Sequence, residues 1–348
     1  MSTSPESKIA PRSIADRTGI HPRLGFAGIG WIGMKRLQPL ALAGWDGDLV
    51  IFDPDPSAVE RALEAFPKAK SAASFEELIS SDIDAVVIST PSAMHARQVE
   101  ESLYRDLPVF CQKPLGRNRQ ETARVVSLAK ERNLLLGVDF SYRYTEGIQQ
   151  IKSCLDREEI GKIYAVEAIF HNAYGPDKEW YYNPDQSGGG CLIDLGSHLI
   201  DLIFYLLGDI APQVVYSNLL AKGERFILGE AVEDFAEAQL VAGDNISIRI
   251  ACSWKHAVGK DAAIHLKVNG TQGGLEFQNV NGSFYEFRAD RYTQNNRITL
   301  SSGPDNWEGK ALCRWVEELK ADDQFDPGCR ELVENARLID GIYSKAKS

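Results

Sequence analysis

The sequence predicts a doubly wound α/β domain built on a parallel sheet, followed by an α+β domain whose sheet is largely antiparallel and open. Three observations predict it. From Leu24 to about Arg143, short apolar runs alternate with amphipathic stretches of helical length, the spacing of a parallel sheet with helices on both faces. A glycine-rich turn, Gly28-Ile29-Gly30-Trp31-Ile32-Gly33, joins the first run to the first helix. After Gly208, apolar residues fall on every second position, as in an antiparallel sheet with one buried face.

Buried strands are read at Leu24–Ile29, Leu49–Asp53, Ala85–Ser89, Pro108–Cys111 and Leu135–Val138, each a continuous apolar run. Between them, Trp31–Ala43, Pro56–Phe66, Met94–Arg105 and Asn118–Arg132 read as helices. A helix at Thr145–Glu158 leads through Gly161 to a strand at Ile163–His171. A loop rich in glycine, proline and aromatics follows, then a largely apolar helix that starts after Gly188-Gly189-Gly190 and runs to Leu207. Ile246, Ile248, Ile250 and Cys252 share one strand face, and Ile264, Leu266 and Val268 alternate likewise. Helical patterns at Asn306–Lys320 and Gly328–Ala346 close the chain. The expected organisation is a flexible tail over 1–22, an α/β domain over 23–143 and a second domain over 144–348, whose C-terminal helices are free to pack back on the first. The late sheet has a second face that no later helix clearly covers. That face, with Tyr285 on it, is expected to join copies of the chain into a homodimer or homotetramer.

The chain has 348 residues and a net charge of −11, so neither nucleic acid nor an anionic membrane is an expected partner, since both need a basic face. Six cysteines are scattered without a CxxC pair, which favours free thiols in a reducing compartment and no metal site. The residues up to Arg23 lack the apolar core of a secretory signal. The apolar run Cys191–Leu207 is interrupted by Asp194, His198 and Asp201 and reads as a buried helix rather than a membrane span. A cytoplasmic protein is expected.

Glycines at 28, 30 and 33 permit a tight turn, a close backbone approach to pyrophosphate and close helix–strand packing, with the phosphate at the helix N-terminus. Trp31 and Ile32 lie in the same turn. Asp53 ends the second apolar run, where an acidic side chain accepts from ribose hydroxyls; Asp55 follows and no adjacent Arg or Lys awaits a 2′-phosphate. NAD is therefore expected over NADP. Thr90, Ser92 and His95, after the strand Ala85–Ser89, sit at the strand edge where ligands bind, although Ser92 reads equally as a helix cap and His95 as a locally satisfied helix residue. Gln112 and Lys113 follow the strand Pro108–Cys111 at the same edge. Asp194 and His198 stand four residues apart, on one face of a helix, where a carboxylate beside an imidazole can handle protons. The competing reading is a core helix whose polar residues satisfy one another.

Taken in order, GIGWIG, TPSAMH, CQKPLG and GGGCLIDLGSHLIDL closely resemble the motifs of the family of glucose–fructose oxidoreductase, inositol dehydrogenase and related NAD(P)-dependent sugar dehydrogenases, from about Leu24 to the C-terminus. The resemblance implies a Rossmann domain and an NAD-dependent oxidoreductase acting on a secondary alcohol or ketone of a sugar, inositol or polyol. It matches Lys113, Asp194 and His198 to the catalytic trio, implies a cis Lys113–Pro114 bond, and places Gln112 where the family usually has Glu. In that scheme His198 takes the hydroxyl proton, Lys113 stabilises charge on the oxygen, and Asp194 positions the substrate and tunes the histidine. Arg143 matches a basic position facing the substrate, and His171, Asn172, Trp180 and Tyr182 lie near the expected pocket. Other functions carried on the same fold are an NAD-dependent glycosidase and a non-catalytic sugar- or NAD-sensing regulator.

Overall fold

The structure, a computed structural model, describes residues 21–346 except 228 and 244. All but the last two residues of the expected tail lie outside the described residues; His21 meets Asp46, and the Pro22 carbonyl accepts from the Trp45 indole at 3.1 Å. The first half runs β1 (Leu24–Ala27), α1 (Trp31–Leu42), β2 (Leu49–Phe52), α2 (Pro56–Ala65), β3 (Lys70–Ser71), α3 (Phe75–Ser80), β4 (Ala85–Ile88), α4 (Ser92–Leu103), β5 (Val109–Cys111), α5 (Arg119–Arg132) and β6 (Leu136–Val138). The strands form one parallel sheet in the order β3-β2-β1-β4-β5-β6. Helices α2 and α5 start where side chains satisfy free N–H groups of the first turn: Asp55 accepts from Ser57 N at 2.9 Å, and Asn118 from Glu121 N at 2.9 Å. The edge unit β3–α3 had no sequence expectation, because β3 is two exposed residues without apolar alternation.

The second half continues with α6 (Glu146–Asp156), β7 (Ile163–Asn172), α7 (Pro184–Ser187), a π-turn (Leu192–Gly196) and α8 (Ser197–Leu207). Strands follow: β8 (Gln213–Ala221), β9 (Glu224–Arg225), β10 (Phe235–Ala242), β11 (Ile246–Ser253), β12 (Ala262–Gly270), β13 (Gly273–Asn279), β14 (Glu286–Thr293) and β15 (Asn296–Pro304). Helices α9 (Lys310–Ala321) and α10 (Arg330–Lys345) end the chain. The second sheet has the order β15-β14-β13-β12-β7-β11-β10-β8-β9 and is antiparallel except where β7 runs parallel to β11. One face packs Val166, Ala168, Phe170, Ile248, Ile250, Leu266 and Phe277 against α6, α8 and α10. The opposite face holds Glu167, Arg249, Tyr216 and Gln239.

Tyr285 is not on that open face. It precedes β14, stacks on Trp307 with centroids 6.0 Å apart, and donates its hydroxyl to Glu308 at 2.6 Å. Helix α9 packs on the first sheet, where Leu312, Trp315, Val316 and Leu319 complete the core formed by Leu24, Phe26, Ile51 and Phe110. The stretch Pro184–Leu207 is apolar enough by composition to cross a membrane, but most of it is buried inside the protein, as expected for a core helix.

Candidate active site

The C-terminal ends of β1, β4 and β5 bring the glycine turn, Thr90–Ser92 and Gln112–Lys113 to one edge of the parallel sheet. Gly28 has φ +83°, and a Cβ there would lie 2.6 Å from the Ser89 carbonyl; a Cβ on Gly33 would lie 2.2 Å from the Gly28 oxygen. Gly30, by contrast, has nothing within 4 Å of that position, and as the N-cap of α1 it supplies no side-chain cap. Open space before uncapped helix N–H groups fits a pyrophosphate. Asp53 accepts from Ile29 N at 2.8 Å and from Asp55 N at 2.9 Å, so its carboxylate is fixed beside the turn. These residues fit a dinucleotide.

Lys113, which precedes a cis bond to Pro114, reaches out of the first domain. Its ammonium donates to Oδ1 of Asp194 at 2.7 Å and to the Asp194 carbonyl at 2.9 Å. The other carboxylate oxygen accepts from the Trp254 indole at 3.1 Å. Around this pair lies a narrow crevice lined by Ser92, Lys113, Pro114, Trp180, Tyr181, Ser187, Gly189, Ile193 and Asp194.

His198 stands behind, half-buried, with Tyr142, Phe140 and Phe170 rings at 5.1, 5.9 and 6.5 Å from its own. Its Nδ1 is buried without a hydrogen-bond partner. Burial, then the charges of Lys113 and Arg36, hold its pKa well below the usual value, so the ring is neutral. The expected carboxylate–imidazole pair is not formed. Asp194 lies in the π-turn rather than an α-helix, and its two oxygens accept from Lys113 and Trp254 rather than from His198.

The glycines before the π-turn are fixed by contact. A Cβ on Gly190 would lie 1.9 Å from the Glu233 carbonyl oxygen, and one on Gly189 would lie 2.0 Å from the Tyr343 hydroxyl. The buried Glu233 carboxylate accepts from Leu192 N at 2.8 Å, from Gly190 N at 3.0 Å and from Tyr343 at 2.9 Å. Desolvation lifts its pKa to about 7 against those donors. Asn335 adds a bond to the Ser197 carbonyl at 2.9 Å.

Gln112 bridges two neighbours, donating to Asp139 at 2.8 Å and accepting from Lys113 N at 2.9 Å. Asp139 is buried and also takes Arg36 and Ser141. A glutamate at 112 would set a second carboxylate against Asp139; the amide turns that repulsion into a hydrogen bond.

Several expected site residues face elsewhere. Arg143 gives Nε and Nη2 to Asp201 at 2.7 and 2.6 Å and Nη2 also to Glu331 at 3.1 Å, and it does not line the crevice. His95 is fully buried and braces the loop, its ring nitrogens 2.6 Å from the Thr90 carbonyl and 2.7 Å from the Pro114 carbonyl. The Thr90 hydroxyl donates inward to Gln98 at 2.6 Å. Ser92 is the first residue of α4, not its cap, and lines the crevice. His171 lies on the face opposite Phe170, bonded to Ser253 at 2.7 Å and stacked on His256 at 4.5 Å. Neither it nor Asn172, whose carbonyl accepts from His256 N at 2.8 Å, lines the crevice. Trp180 does, but Tyr182 turns its hydroxyl to the Pro176 carbonyl at 2.9 Å and packs its ring on Trp254. The sequence reading missed Tyr181, between the two residues it chose, and Trp254; an aromatic after a strand end was the only signal for the latter.

A family model described as an oxidoreductase family with an NAD-binding Rossmann fold matches residues 23–140, and the GFO/IDH/MocA C-terminal domain model matches 148–276. The chain is 23% identical to a levoglucosan dehydrogenase of Pseudarthrobacter phenanthrenivorans, over 76% of this chain and 73% of that one. The fold is shared with KijD10, a 3-ketoreductase from Actinomadura kijaniata solved with NADP and TDP-benzene (TM-score 0.79, 22% identity, 93% of this chain and 98% of that one). It is also shared with GenD2 from gentamicin A biosynthesis, solved with NAD (TM-score 0.77, 20% identity, 98% and 97%).

Proposed function

Because the chain belongs to the GFO/IDH/MocA family of NAD(P)-binding oxidoreductases, we propose that it transfers hydride between NAD and a secondary alcohol or ketone of a sugar, inositol or related polyol. The observation that carries this reading is the meeting of Lys113 with Asp194, 2.7 Å apart, at the mouth of a crevice beside a neutral His198. A bound dinucleotide would supply the hydride chemistry. The turn from Gly28 to Gly33 would hold its pyrophosphate and Asp53 its ribose hydroxyls, and a fixed carboxylate there favours NAD over NADP.

The chain's own groups do the rest. Lys113 donates a hydrogen bond to the reacting oxygen and stabilises charge as it develops. Asp194, fixed by Trp254, sets the direction of the lysine and accepts from a neighbouring substrate hydroxyl. His198, neutral at pH 7, takes the hydroxyl proton in the oxidative direction and returns it in the reductive one. With Nδ1 buried, Nε2 is the nitrogen left for that exchange. Six unpaired thiols fit the cytoplasm, and the open face of the second sheet fits a homodimer or homotetramer.

The test is a spectrophotometric assay of NAD reduction and NADH oxidation over a panel of aldoses, anhydro sugars, inositols and keto-sugars. Absorbance change at the nicotinamide band with at least one member is the expected result, and silence across the whole panel in both directions would count against the reading.

A further inference from the structure

We propose that Arg36 is a positioning residue for hydride transfer: paired with Asp139, it fixes Gln112 and, through Gln112, the backbone from which Lys113 springs. This rests on the hydride-transfer reading and adds to it a residue outside the lining of the crevice.

Arg36 lies on α1, the helix that opens at the glycine turn, and is only 3% exposed. A buried guanidinium needs a partner. Its Nε donates to Oδ2 of Asp139, which is itself buried just beyond β6. No other cation is paired with Asp139 among the described residues. The same Oδ2 accepts from the Gln112 side chain at 2.8 Å. With its nitrogen held there, the Gln112 amide turns its oxygen to the Lys113 N–H at 2.9 Å. Ser141 donates to Oδ1 and steadies the carboxylate from its other side. A run of hydrogen bonds thus leads from α1 across the ends of β6 and β5 to the backbone of Lys113.

Charge decides the direction of each bond. An ionised carboxylate only accepts, so both Arg36 and Gln112 must donate to it, and Gln112 has only its oxygen left for Lys113. Without the guanidinium, Asp139 is a buried anion held by an amide and a hydroxyl alone. It must then move toward solvent or take a proton. A protonated Asp139 donates where it had accepted, which reverses the Gln112 amide and takes the acceptor away from Lys113 N.

A buried ion pair adds little stability over apolar side chains of the same size. This one is also incomplete, since Nη1 of Arg36 is buried without a partner. What the pair contributes is direction. A second arm of the same guanidinium leads to the histidine. It lies 5.4 Å from the centre of the Trp307 ring, Trp307 stacks on Tyr142 at 5.4 Å, and Tyr142 meets His198 edge-on at 5.1 Å. After burial and Lys113, the charge of Arg36 is the next influence that keeps the His198 ring neutral. One buried cation stands behind both groups.

The experiment is a double-mutant cycle between Arg36→Met and Gln112→Leu, two side chains joined through Asp139. It is read by steady-state kinetics with NAD and the best substrate of the panel, and by the Lys113 amide signal in NMR of protein carrying isotope-labelled lysine. Each single variant is expected to lower kcat about tenfold, with KM and NAD affinity within about twofold of wild type. The double variant should also lose about tenfold, where independent effects would multiply to about a hundredfold. The Lys113 amide signal should move in both single variants as its hydrogen bond is lost. Arg36→Lys keeps a cation beside Asp139 without the planar fork, and it replaces Arg36→Met in the cycle if that protein does not fold. Wild-type kcat in the folded arginine variant, losses that multiply, or an unmoved Lys113 signal overturns the proposal and leaves the hydride-transfer reading standing. If the wild type turns over no member of the panel, that reading falls and the amide signal decides alone. A shift in both variants then supports the hold of Arg36 on Lys113, and a shift in Gln112→Leu only overturns it.

Discussion

Trp254 donates its indole N–H to the one carboxylate oxygen of Asp194 that Lys113 leaves free, at 3.1 Å. Through that carboxylate, three side chains tie the end of β11 to the end of β5.

Trp254→Phe keeps the ring and removes the donor. It should lower kcat/KM roughly three- to tenfold, mainly through KM, as one hydrogen bond to a charged group is lost. Asp194→Asn should cost about a hundredfold or more, because the lysine loses its charged partner. Steady-state kinetics on both variants, beside thermal melts, check the order; equal losses would remove Asp194 from the mechanism.

His198→Ala should cut turnover by about a hundred- to ten-thousand-fold, the usual worth of a general base, and leave NAD affinity near wild type. Stopped-flow rates and cofactor fluorescence titration separate the two. A well-folded variant with normal turnover would show that the histidine only fills space beneath Tyr142.

Asp53→Ala should weaken NAD about tenfold or more, since a charge-assisted hydrogen bond is worth roughly 1.5–3 kcal/mol. NADP should bind the wild type more weakly than NAD. Fluorescence titration of both cofactors decides, and tighter NADP binding would contradict the assignment.

His171 gives the pH prediction. Burial, then His256 and Arg249, lowers its pKa from 6.5 to about 4. The unfolded chain therefore binds more protons than the native one between those values, so stability is present above pH 6.5 and is lost as pH falls toward 4. Melting temperatures across that window should fall less for His171→Asn than for the wild type, and NMR of the ring should show the low titration point.

The open face of the second sheet should hold copies of the chain together. Tyr216, half-exposed on β8, is a suitable probe. Tyr216→Glu should shift the protein toward monomer in light scattering at micromolar concentration; a wild-type monomer would refute the expectation.

The parallel sheet was legible, apart from its edge strand β3, because the other strands are apolar runs and the glycine turn has a fixed stereochemical purpose. The loop ends bearing Lys113, Asp53 and Ser92 follow from that topology. Partners across the fold were not legible. Arg143 was assigned to the substrate by the family resemblance, and nothing local marks Asp201, far along the chain, as its counterion. Tyr182 was chosen over Tyr181 because which of two adjacent aromatics faces a crevice depends on the backbone turn between them. The π-turn at Leu192–Gly196 hid in a sequence that reads as regular helix, and the resulting placement of Asp194 gave its carboxylate to Lys113 instead of His198.

The seat of α9 on the first sheet has a consequence for how the protein is made. Leu312, Trp315, Val316 and Leu319 fill a core whose sheet ends at Val138, about 170 residues earlier in synthesis. A ribosome that has released the Rossmann segment has produced an apolar face that Leu37 and Leu40 of α1 and Ala58 and Ala62 of α2 cover only in part. The rest of it stays open to solvent and chaperones until α9 is translated, so the core of the first sheet closes only when this later segment arrives.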